Sequence, residues 1–132
     1  MKKIIITIIA AASIFFLGCG SDSGTSTASH YYYAEVGAIS DEAIKYMNYC
    51  NDASAIATCV YQAIKSHPYQ EVGYVPFMKS GTKNEITAWL QSPEMNAPDE
   101  IVSDIWRLID QGSVALEYSI SSKIYIYVKE TN

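Results

Sequence analysis

What this chain can fold into is limited first by its opening segment. Residues 4–17 are apolar apart from Thr7 and Ser13, follow Lys2 and Lys3, and run into Gly18-Cys19, after which Gly, Ser and Thr take over. A basic start, a short apolar stretch and small residues at its end form the layout of a secretory signal. A membrane-crossing helix needs ~20 apolar residues, and Gly18, Gly20 and Ser21 stand where a span would have to continue. A permanent span is therefore the weaker reading. Residues 20–29 hold only Gly, Ser, Thr, Ala and Asp22, too small and polar to bury, and read as a flexible tether. The fold must be built from residues 30–132, a single domain near the lower end of the usual size range.

Leu17-Gly18-Cys19 resembles the end of a bacterial lipoprotein signal peptide, the lipobox. Phe16 and Leu17 occupy the places where that class usually has Leu and a small residue; Gly18 fits it. The resemblance implies that residues 1–18 are removed and that Cys19 becomes the first residue, acylated with palmitate-like chains. Two or more such chains give a stable membrane anchor without a span. Gly20 after the cysteine implies sorting to an outer membrane, facing the periplasm or the surface. Two other readings stay open: ordinary cleavage near Ser26-Thr27-Ala28, giving a soluble secreted binding module, or an incidental thiol at Cys19.

After Cys19 seven Lys and Arg face fourteen Asp and Glu, a net charge of −7. That balance repels phosphate backbones and argues against a nucleic-acid partner. With Cys19 assigned to lipid, Cys50 and Cys59 form an even pair in a compartment where disulfides persist. Nine residues of continuous helix would part them by ~13.5 Å, whereas a disulfide needs Cα atoms within ~7 Å. A bond therefore requires a break, and Asn51-Asp52-Ala53-Ser54 offers one, with Asp52 or Ser54 able to cap a new helix. The alternative is two buried thiols in one long helix.

The remaining elements follow from patterning. Residues 31–36, YYYAEV, are strand formers. Ser40 caps a helix through about Tyr49, with Ile39 and Ile44 as a hydrophobic staple. Ile56, Val60 and Ile64 mark a helical stripe between Ala53 and Ser66, ended by His67-Pro68. Residues 71–78 read as a strand that Pro76 pushes to an edge. Thr82 and Glu85 have capping-box spacing for a short helix. Pro98, Asp99 and Glu100 open a helix carrying Ile101, Ile105, Leu108 and Ile109, which Gly112 closes. Val114, Leu116, Tyr118 and Ile120, then Ile124, Ile126 and Val128, alternate across a Ser121-Ser122-Lys123 turn, giving a C-terminal hairpin with Tyr125 and Tyr127 facing the other way. The expected class is α+β, helices packed on a small, mostly antiparallel sheet. From Ala53 onward the order of elements resembles a winged-helix domain. A DNA-reading helix should carry Arg and Lys, however, and the equivalent one here has Asp99, Glu100, Asp104 and Asp110 against Arg107, so the resemblance implies protein contacts.

Chemistry-bearing motifs are sparse. His30 and His67 lack a motif partner, no Cys or His pairs have metal-ligand spacing, and there is no glycine-rich phosphate loop or haem motif. Asp41-Glu42 and Asp99-Glu100 fit helix starts better than acid–base catalysis. No metal or cofactor is implied. All eleven tyrosines lie after Cys19. Tyr is enriched at interfaces, so Tyr31, Tyr33, Tyr125 and Tyr127 form a candidate exposed patch; the favoured reading is that tyrosines populate strands and half-buried sheet faces. The leading expectation is a lipid-anchored, non-enzymatic envelope protein that binds another protein or an envelope polymer. The alternatives are a small periplasmic hydrolase and the soluble binding module.

Overall fold

A computed structural model describes residues 30–52, 55–112 and 114–131. In chain order the elements are β1 (Tyr32–Ala38), α1 (Asp41–Met47), α2 (Ile56–Ser66), β2 (Phe77–Gly81), α3 (Lys83–Leu90), α4 (Asp99–Gly112), β3 (Val114–Ser119) and β4 (Ile124–Glu130). The strands form one sheet in the order β2-β1-β4-β3, and every neighbouring pair is antiparallel. The chain is thus α+β, with helices on an antiparallel sheet and a C-terminal strand pair. β1 lies between β2 and β4 and so joins the edge strand to the C-terminal strand pair.

Local chemistry starts most of the helices. The Ser40 hydroxyl oxygen accepts from the Ala43 amide at 2.9 Å and donates to the His67 carbonyl at 2.7 Å, capping α1 while tying it to the end of α2. Thr82 and Glu85 exchange bonds reciprocally at the start of α3, at 3.3 and 2.9 Å. The Ile101 and Val102 amides of α4 both donate to the Pro98 carbonyl. At α2 the expectation needs correcting: Ala55, whose methyl side chain cannot accept a bond, occupies the cap position, and its amide donates to the Asp52 carbonyl. Ser54, the other expected cap, lies outside the described residues. The strand expected over 71–78 also shifts. Gly73 at φ 78° and a Tyr74 amide bonded to the Glu71 carbonyl make a turn there, and β2 begins only after Pro76, as the sheet's edge.

Both faces of the sheet are covered. On one, Ala34, Val36, Ile126 and Val128 pack against Ile86, Leu90, Ile105, Trp106 and Ile109 of α3 and α4. On the other, Tyr125 and Tyr127 pack with Ala43, Met47, Val60 and Ile64 of α1 and α2. Leu116 pairs with Tyr127 and Tyr118 with Tyr125, whereas Ile126 pairs with Glu117. The apolar stripe of β3 therefore shares its face with the tyrosines of β4, and the isoleucine stripe of β4 faces the opposite layer. Cys50 and Cys59 are bonded, with Cα atoms 5.7 Å apart, across the break between α1 and α2.

Candidate functional site

Two features rise above ordinary packing. The first is buried. Glu35 sits in the middle of β1 at 1% exposure, on the face toward α1 and α2. Tyr33 donates to its carboxylate at 2.5 Å, Tyr61 at 3.0 Å, Tyr125 through a short bond, and Lys65 from α2 at 2.8 Å. Burial alone would raise the Glu35 pKa; the hydrogen bonds from Lys65, Tyr125 and Tyr33, with the Lys65 charge, outweigh it and hold the carboxyl below its ordinary value. The same burial, next to an anion, pushes the Tyr33, Tyr61 and Tyr125 hydroxyls up, so all three keep their protons and act as donors. Tyr61 stacks on Tyr127 with ring centroids 3.7 Å apart. Tyr74 closes the end of the cluster by accepting from the Ala38 amide at 2.8 Å. Gly37 is required here, because an added Cβ would overlap the Tyr74 hydroxyl and the Tyr125 ring. Every acceptor of the carboxylate is engaged, so the cluster is a structural hub.

This arrangement decides between the two readings of the tyrosines. Tyr125 is 1% and Tyr127 9% exposed, and Tyr33 is half-buried, so these three do not form the exposed patch. They turn inward because α1 and α2 cover that face and because Glu35 needs donors. Tyr31 alone of the four is exposed. Glu35 was not legible as a site, although it shares the inward parity of Tyr33 in a strand otherwise free of charge. Cys19 lies outside the described residues. His30 pairs with Glu130 at 2.7 Å, and His67 stacks on Tyr46 at 4.2 Å, so the two histidines serve different ends of the fold. Asp41 pairs with Lys123 and Glu42 with Lys45, and Asp99 accepts from Gln91 at 2.6 Å.

The second feature is the exposed edge. Among the described residues β2 has β1 on one side and no strand on the other. Within and just before it, Val72, Val75, Phe77 and Met78 face water, Val72 completely. Tyr69 is exposed too and meets Tyr74 edge-on at 5.3 Å. The segment reaches β1 toward its end, since Phe77 pairs with Val36 and the Tyr74 hydroxyl accepts from the Ala38 amide. The polypeptide enters β1 at Tyr32, ~20 Å away along the strand at ~3.4 Å per residue. Phe77 and Met78 point to opposite faces of the sheet, so the exposed apolar side chains flank the edge on both sides; exposed apolar surface of this kind marks contact sites.

An open groove of about 750 Å³ also runs between α3 and α4, lined by Lys83, Thr87, Gln91, Asp99, Trp106 and Arg107 among others. Its polar groups largely engage one another: the Trp106 indole donates to Thr87 at 2.9 Å, and the Lys83 ammonium lies 5.5 Å from the Trp106 ring centre. Under α4, Glu117 is buried against Asp104; burial first, then the Asp104 carboxylate, push its pKa to about 8. Among the described residues no group of three or more His, Cys, Asp or Glu is placed to hold a metal ion, and no helix is long and apolar enough to cross a membrane. Comparison with protein-family models finds no match, and none is found to a curated protein or a solved structure.

Proposed function

We propose that this chain is a lipid-anchored protein of a bacterial envelope, held through Cys19, whose domain binds another protein or an envelope polymer without catalysing a reaction. The single observation that carries the binding role is the water-facing apolar set Val72, Val75, Phe77 and Met78 on and beside a sheet edge that no strand among the described residues pairs with. Its position supports an anchored orientation. The tether of residues 20–29 reaches the fold at the start of β1, and the apolar set lies at the other end of that strand, where it would be directed away from the membrane. The Leu17-Gly18-Cys19 resemblance supports the anchor itself.

Metabolic labelling with an alkyne fatty acid tests the anchor: the wild type takes the label and Cys19→Ala does not. Equal labelling of both, or of neither, overturns it. A photo-crosslinking residue placed at Val72 tests the binding role in intact membranes. The expected result is a discrete adduct that is lost when Phe77 and Met78 are changed together to Ser; no adduct, or one indifferent to that change, overturns it.

A further inference from the structure

We infer that the outer edge of β2 receives an extended peptide segment of a partner protein, one that alternates apolar residues and carries an acidic side chain beside Lys79. The segment adds to the sheet as a fifth strand through main-chain hydrogen bonds. This rests on the binding reading above and specifies its mode.

The two edges of the sheet differ. Each edge strand has a helix beside it, α4 at β3 and α3 at β2, but along β3 every second residue is buried. Along β2, by contrast, Phe77, Met78, Lys79 and Ser80 are all exposed. An uncovered edge with apolar side chains is a template for pairing, which natural folds normally cover or interrupt. Residues 20–29 contain no apolar side chain larger than Ala28, so their composition matches such an edge poorly. The occupant therefore comes from elsewhere.

Charge indicates its chemistry. The chain is acidic overall, yet residues 77–83 carry Lys79 and Lys83 and no acid. Lys83 lies over Trp106, while Lys79 makes no ion pair among the described residues. An acidic residue on the incoming strand would meet Lys79 directly. A second copy of this chain fits less well. Lys79 is the central residue of β2, so a full-length twofold pairing of β2 with itself would set the two Lys79 ammonium groups opposite each other, and like charges directly opposed across strands are destabilising.

Panning a phage-displayed library of random dodecapeptides against the full chain, with the Lys79→Glu chain as counter-selection, tests the inference. The enriched peptides should alternate apolar residues and contain Asp or Glu. A synthetic copy should slow amide hydrogen exchange at residues 77–81 and bind Lys79→Glu at least tenfold more weakly. No enrichment, protection confined to the helices, or equal affinity for Lys79→Glu overturns it. An adduct at Val72 in membranes without protection of residues 77–81 overturns edge pairing and leaves the binding role standing, whereas loss of adduct and peptides together overturns both.

Discussion

Glu35 keeps its charge inside the protein because four donors converge on it, three of them tyrosine hydroxyls. Removing Lys65 leaves a buried carboxylate with neutral donors only, so Lys65→Met should destabilise by about 1–3 kcal/mol at pH 7. The sign with pH follows from linkage. Glu35 has a folded pKa below its unfolded value, so its contribution is present above the unfolded pKa and is lost as pH falls through the folded one. The gap between wild type and Lys65→Met should therefore be widest above about pH 5 and close in acid, as read by urea midpoints across pH; a constant gap would contradict the hub. Glu117 behaves oppositely. Its folded pKa is raised from 4.5 to about 8, so the folded state holds the extra proton between those values and stability falls as pH rises through that window. Glu117→Gln should flatten that slope, and an unchanged slope would assign it to another group.

At the scale of elements, the chain is legible where one local cause acts and opaque where distant segments decide. The capping box at Thr82 and Glu85 needs only three residues of spacing, and it forms as read. Thr82→Ala should accordingly cost about 1 kcal/mol, measured by urea unfolding, with Thr82→Ser restoring most of it. The break between α1 and α2 was likewise readable, because Cys50 and Cys59 cannot meet along one helix. The pattern over 71–78 does not reveal where β2 starts, since that depends on the turn at Gly73 and on pairing with β1, 41 positions away for Val36 and Phe77. The hub was the least legible part. Alternation shows that Tyr125 and Tyr127 share a face, but not that α2 delivers Tyr61 and Lys65 onto Glu35. The exposed edge was half legible: Pro76 marks an edge strand, while the exposure of Val72 and Phe77 depends on which segments fail to cover them.

For the whole molecule, the decisive fact is that one sheet serves two cores. Trp89 and Trp106 belong to the layer of α3 and α4, whereas the disulfide belongs to the layer of α1 and α2. Each layer buries its apolar side chains on the same three strands, β1, β3 and β4, and β1 and β4 contribute to both at alternate residues, Val36 and Ile126 to one, Tyr33, Tyr125 and Tyr127 to the other. Neither layer can lose its sheet face without the other losing its own. Unfolding should then be a single cooperative transition. The Cys50→Ser, Cys59→Ser chain opens the loop that the bond closes, which in the chain-entropy model removes ~2.7 kcal/mol. If the layers are one unit, that loss must appear in full on the far side of the sheet. Tryptophan fluorescence, which senses only α3 and α4, should shift its urea midpoint by the same amount as far-UV circular dichroism, which senses every element. A tryptophan midpoint that stays at the wild-type value while the dichroism midpoint falls would mean that the α1–α2 layer melts alone and that β1 and β4 do not couple the two cores.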